Sequence, residues 1–362
     1  SAAYFREDFG NGLGDWSVNY QMAVNAAGQL ATTVSNGVCK VVSPLDFAVK
    51  DMILEYDMQI SSNAADNFMF VTDLRCEDKV DAVRIILYKN AITVISSTAS
   101  GTARQVYSKS VVDFDEMYRV RVKLIGNSLS YEIKNVAQDE FEKIFKVDGM
   151  TLDQKGQFSF LVSNTDALID NIFVTNLDVV TEQNTYYSED FKNGLDDWSV
   201  KYQMEVNVEG QLATTVNDGV CKVVSPSDFA VENMILEYDM QITANAANNF
   251  MFVTDLRCED KVDAVRIILY KDAMTVIAST MSGPARQVCN ESVINFDTVY
   301  RVRIKLVDDT LIYEIKSVDD EEFVTIFEMS GIMLSQKGQF SFLVSNAEAL
   351  IDNVSLVNLD DD

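Results

Sequence analysis

The sequence predicts an all-β protein built as two tandem antiparallel β-sandwich (jelly-roll) domains. Three observations lead there. Apolar and polar residues alternate with period two in nearly every segment, no segment carries a sustained helical stripe, and the chain repeats itself. Trp16 matches Trp198, Cys39 matches Cys221 and Asp170 matches Asp352, each at a shift of 182 residues. The run from Asn67 to Lys89 returns unchanged from Asn249 to Lys271. That spacing is far too long for a solenoid, so each copy is read as a domain with its own core. The expected boundaries are 1–178 and 186–362, joined by a short polar linker at 179–185 (VVTEQNT).

The strands follow in chain order. In YRVRVKL, Val120, Val122 and Leu124 point one way while Arg119, Arg121 and Lys123 point the other. Gly126 and Asn127 then tolerate a tight turn, and SLSYEIK from Ser128 returns as the second arm. The same alternation predicts strands at 4–9, 29–34, 38–42, 52–60, 68–75, 82–88, 92–97, 141–145, 157–162 and 169–175. Only three prolines occur, so the turns rest on Gly, Asn, Asp and Ser. No length remains for crossover helices, which favours a two-sheet antiparallel sandwich.

Composition narrows the partners. A net charge of −27 argues against nucleic acid and anionic membrane surfaces. No apolar run is long enough to span a bilayer, and the opening SAAYFREDF is not a signal peptide. With no histidine, Ser-His and Cys-His catalysis and histidine-ligated metals are excluded. The five cysteines form no CxxC pair. Parity allows bridges 39–76 and 221–258, but their apolar strand settings favour reduced, buried thiols. Cys289, where the first copy has Tyr107, is left over under either reading.

Each copy opens with an EDF…W run (Glu7 to Trp16, Glu189 to Trp198) and closes with KGQFSFLVSN followed by an Asp-Asn strand. This start and finish resemble the concanavalin A-like lectin/glucanase jelly rolls, which include laminin-G-like domains and tandem carbohydrate-binding modules. The resemblance spans each copy and implies a glycan or polysaccharide partner, an extracellular or cell-surface setting, and a larger parent surface protein or enzyme. It also implies a structural calcium ion where the chain ends meet, with Asp8 and Asp170 as ligands, and Asp190 and Asp352 in the second copy. Phe9, Leu13 and Trp16 are read as anchors packed into the sandwich.

Laminarinase-type enzymes of this fold carry Glu-x-Asp-x-Glu on one strand. Here Glu55-Tyr56-Asp57-Met58-Gln59 resembles that run but ends in Gln59, and Gln241 repeats the change. An amide cannot deliver the proton that the leaving oxygen needs, so catalysis is not expected. A non-catalytic sugar site is expected instead on a strand face bearing Asp73, Arg75, Arg84 and Tyr88, with Asp57 and Gln59 beside it and Tyr20 in the early loop. The second copy offers Asp255, Arg257, Arg266, Tyr270, Asp239, Gln241 and Tyr202. Planar carboxylates, amides and guanidinium groups suit paired hydroxyls, and tyrosine rings suit sugar faces. The alternatives are a laminin-G-like adhesion domain recognising protein, or a glycan-active enzyme with carboxylates ~5–10 Å apart in a cleft.

Overall fold

The computed structural model describes residues 5–76, 83–98, 101–150, 155–180, 185, 187–258, 265–280, 283–332 and 337–360. The chain divides into two compact units, Ala3–Val179 and Val180–Asp362. Tyr4 and Ala82, which begin two expected strands, and most of the expected linker lie outside the described residues.

The first unit holds β1 (Phe5–Glu7), β2 (Ser17–Tyr20), β3 (Met22–Val24), β4 (Leu30–Thr32), β5 (Val38–Val42), β6 (Met52–Ile60), β7 (Met69–Leu74) and β8 (Val83–Leu87). It continues with β9 (Ile92–Thr98), β10 (Gly101–Tyr107), β11 (Met117–Ile125), β12 (Ser128–Asn135), β13 (Glu142–Val147), β14 (Ser159–Ser163) and β15 (Ala167–Asn176). They form two antiparallel sheets. Sheet I runs β13-β12-β11-β6-β15-β4-β3 with β1 added against β15; sheet II runs β10-β9-β8-β7-β14-β5-β2. The second unit repeats both orders with its own strands. An all-β sandwich is thus what the alternation encodes.

The core is what the inward halves of those alternations make. Leu54, Tyr56 and Met58 of β6 meet Phe70, Phe160 and Val162 of sheet II. The Tyr56 hydroxyl bonds Thr72 Oγ1 at 2.6 Å, tying the two sheets together inside the core. Trp16 lies 5.5 Å from Phe9 and 5.6 Å from Phe158 between ring centroids, so it is a packed anchor, as its place in the opening motif implies. Emptying such a position costs about 3–5 kcal/mol. Phe9 itself adopts φ 54°, held by its N–H donating to Glu7 Oε1 at 2.6 Å.

Strands β2, β3 and β10 were not expected. They are short or lie at sheet edges, and β2 is exposed at every residue, so its side chains carry no burial alternation to read. The five cysteines are free, as their apolar settings suggest.

Candidate functional site

The outward face of sheet II is built from the halves of the alternations that avoid the core. One cross-strand row reads Tyr20, Lys40, Leu161, Val71, Ile86, Thr93 and Val106, each in register with the next. The adjacent row reads Ser17, Val42, Ser159, Asp73, Arg84, Ile95 and Arg104. Val71 and Ile86 are only 2% and 6% exposed, yet neither belongs to the core cluster. Val253 and Ile268 repeat those values in the second unit. The centre of this face is therefore apolar and largely covered from solvent in each unit.

Arg84 grips Asp73 with two bonds, Nε to Oδ1 at 2.8 Å and Nη2 to Oδ2 at 2.9 Å. Arg266 and Asp255 do the same at the same distances. Asp73 is nearly buried while the Arg84 side chain is 45% exposed, so the carboxylate fixes a guanidinium that still faces solvent. The carboxylate, first of all, holds the arginine charged by raising its pKa, and Tyr88 lies close enough to add to that effect. Cys76 sits at the same end, its thiol bonded to the Asp73 carbonyl and Ser159 Oγ. Burial pushes this thiol up to about 11, opposed by the Ser159 hydroxyl and more weakly by Lys40 and Arg84. Tyr20 and Tyr202 stand at the face's edge, 56% and 57% exposed.

Asp73, Arg84, Tyr88 and Tyr20 are thus brought to one face, with Asp255, Arg266, Tyr270 and Tyr202 their counterparts by sequence. Arg75 is not on it. Its φ of 54° turns it out of the β7 alternation, and the side chain is 1% exposed, with Nε donating to the Lys50 carbonyl at 3.0 Å and Nη2 lying 3.6 Å from Asp51. Arg257 is likewise buried and donates to the Glu232 carbonyl. Gly156 explains the glycine of the KGQF motif: a Cβ there would collide with the Arg75 backbone, and one at Gly338 with that of Arg257.

Asp57 and Gln59 belong to β6 and therefore to the other sheet. Asp57 accepts from Arg119 at 3.1 Å and from the Asn171 amide at 2.8 Å; Asp239 repeats this with Arg301 and Asn353. Gln59 donates to the Asp115 carbonyl at 2.9 Å, and Gln241 holds the same register on its strand. Period-two alternation tells which residues share a strand face. It does not tell which sheet the strand joins.

The acidic residues expected to hold calcium do approach one another. Burial first, then the charges of Asp57 and Asp8, push the Asp170 carboxyl above its usual range; Asp352 is raised similarly beside Asp239 and Asp190. Three of these residues also accept a backbone N–H through one oxygen. Asp8 caps the Gly10 N–H, Asp170 the Asn171 N–H, and Asp190 the Lys192 N–H. Among the described residues no three acidic or sulfur side chains gather into a group that could hold a metal ion.

Sequence reading missed Lys40, Arg104 and Cys76 as members of the sheet II face. Lys40 and Arg104 lie on strands whose partners only the topology supplies.

No family model and no curated protein matches the chain. Among solved structures, the carbohydrate-binding module CBM66 from Bacillus subtilis is similar over 45% of this chain and 97% of its own, at 14% identity and TM-score 0.36. The Ca2+-bound exoplasmic/lumenal domain of VIP36 covers 48% and 91%, at 9% identity and TM-score 0.39. A Bacillus subtilis protein of unknown function with a galectin-like fold covers 50% and 98%, at 11% identity and TM-score 0.39.

Proposed function

We propose that each unit is a non-catalytic carbohydrate-binding module whose ligand lies on the outward face of sheet II. The observation that carries this reading is where the two copies differ. Both central rows of the sheet II face are identical between copies, residue for residue. The outward face of sheet I keeps its row of Lys134, Arg119, Asp57 and Asp170 but has drifted around it: Ala23 becomes Glu205, Ser130 becomes Ile312, Lys146 becomes Glu328, and Phe173 becomes Ser355. Both faces have had the same time to change, so the sheet I differences supply the background that a single identical stretch lacks. On sheet I the retained charged residues are tied to one another, as Arg119 is to Asp57, whereas on sheet II Lys40, Arg104 and Tyr20 are retained without such an ion pair among the described residues.

The chemistry of the retained face suits a sugar. Tyrosine rings and an apolar floor offer surfaces for ring faces, and the Asp73–Arg84 fork offers planar polar groups held in a fixed orientation. Absence of catalysis is supported by Gln59 and Gln241 at the acid position and by Arg119 holding Asp57. Two linked sites would bind a polymer by avidity, as suits an extracellular or cell-surface chain attached to a larger protein. Calcium has no part in this reading. A glycan microarray followed by calorimetry on the hits tests it; binding that persists when Tyr20, Arg84 and their counterparts are replaced would move the site elsewhere.

A further inference from the structure

We infer that the ligand of this face is an anionic linear glycan, bearing a carboxylate or sulfate on alternate sugars and lying across the strands. This rests on the carbohydrate reading above and goes further by naming the substrate class.

The chain as a whole carries −27 and repels polyanions. The two retained rows reverse that locally: their charged members are Lys40, Asp73, Arg84 and Arg104, three cations and one acid. The acid is nearly buried and consumed by Arg84. Neither Lys40 nor Arg104 forms an ion pair among the described residues, and Arg104 is exposed. Lys222, Asp255, Arg266 and Arg286 keep the same set, although at other positions the second copy replaced basic residues by acidic ones, as at Lys50/Glu232, Lys109/Glu291 and Lys146/Glu328. Losing cations was tolerated elsewhere and not here.

The spacing adds direction. Arg84 and Arg104 both register with Ile95, so they lie in one row two strands apart, which is ~10 Å. A disaccharide step of an extended polysaccharide is of the same order. An acidic group on every second sugar would meet one guanidinium after another, with the intervening sugar lying over Ile95. Guanidinium forks suit carboxylate and sulfate alike.

The test uses the whole chain in calorimetry against four soluble polymers: hyaluronan (one carboxylate per disaccharide), its fully methyl-esterified form, κ-carrageenan (one sulfate per disaccharide and no carboxylate), and poly-L-glutamate of similar charge. Hyaluronan or κ-carrageenan should bind at least tenfold tighter than the ester, and which of them does so separates carboxylate from sulfate. Arg104→Gln combined with Arg286→Gln should remove most of that advantage without moving the melting temperature. Equal binding of the ester, with no effect of the double variant, would overturn the anionic ligand and leave the carbohydrate reading standing. Equal binding of poly-L-glutamate would overturn it by showing charge recognition without sugar. No binding to any glycan, here or on the microarray, would remove both readings.

Discussion

Trp198 donates its indole N–H to the hydroxyl of Tyr187 at 3.4 Å, a bond the first unit cannot make because Phe5 stands at the equivalent position. The Trp16 Nε1 is accordingly buried without a hydrogen-bond partner among the described residues. A buried unsatisfied donor costs about 1–3 kcal/mol. Phe5→Tyr should therefore stabilise the first unit by about 1 kcal/mol, and Tyr187→Phe should destabilise the second by a similar amount. Calorimetric unfolding of both variants checks this, and a loss of stability in Phe5→Tyr would contradict it.

The two units bury the same arginine against different partners. Asp51 faces Arg75 and also accepts the Gly126 N–H at 2.9 Å; its counterpart Asn233 keeps the turn bond, accepting the Asp308 N–H, without the charge. Burial first of all lowers the Arg257 pKa to about 10, with Glu232, Asp360 and Asp308 opposing it. Asn233→Asp should stabilise the second unit and Asp51→Asn should weaken the first, each by roughly 1–3 kcal/mol, less than the full cost of a broken buried pair because the amide keeps its bond. Hydrogen exchange at the surrounding strands reports which unit has changed.

Asp170 makes a pH-dependent prediction. Its carboxyl is raised in the folded chain, so the native state holds the proton at higher pH than the unfolded chain does. That contribution favours folding at low pH and is lost as pH rises through the window above the ordinary carboxylate range. Asp170→Asn, which can still accept the Asn171 N–H, should raise the melting temperature at pH 7, with the gain vanishing near pH 3. A drop at pH 7 confined to calcium-containing buffer would instead mean that the carboxylate holds an ion.

Cys76 and Cys258 should be slow to alkylate. Burial pushes both thiols up to about 11 from 9.0, so near pH 8 the native thiolate fraction falls about a hundredfold below that of the unfolded chain. Timed iodoacetamide labelling with peptide mapping reads this directly. Labelling as fast as in denaturant would mean that this end of the face opens readily.

Tyr20→Ala and Tyr202→Ala remove exposed rings that carry no core packing, so stability should stay within about 0.5 kcal/mol of the parent. On short oligosaccharides each should weaken only its own site. On a polymer, one such change should cost at least tenfold, because avidity from the second site is lost. Surface plasmon resonance on both ligand lengths separates these effects.

Much of this protein is legible without coordinates. The shift of 182 residues fixes the duplication, and period-two alternation marks Leu54, Tyr56 and Met58 as inward and Arg119 and Arg121 as outward, because a pleated strand has only two faces. The opening EDF…W run marks Trp16 and Phe9 as anchors, and apolar strand settings favour unpaired cysteines. Alternation could not say which strands become neighbours. Asp57 was expected beside Asp73, yet β6 lies in sheet I between β11 and β15, and β7 lies in sheet II between β8 and β14. Strand order is decided by long-range pairing that leaves no local signature. Arg75 failed for a different reason, since a single residue at φ 54° ends the alternation and sends its side chain inward. The site the copies share, from Lys40 through Asp73 and Arg84 to Arg104, exists only once sheet II has assembled: its residues are separated in the chain and meet through hydrogen bonds between strands.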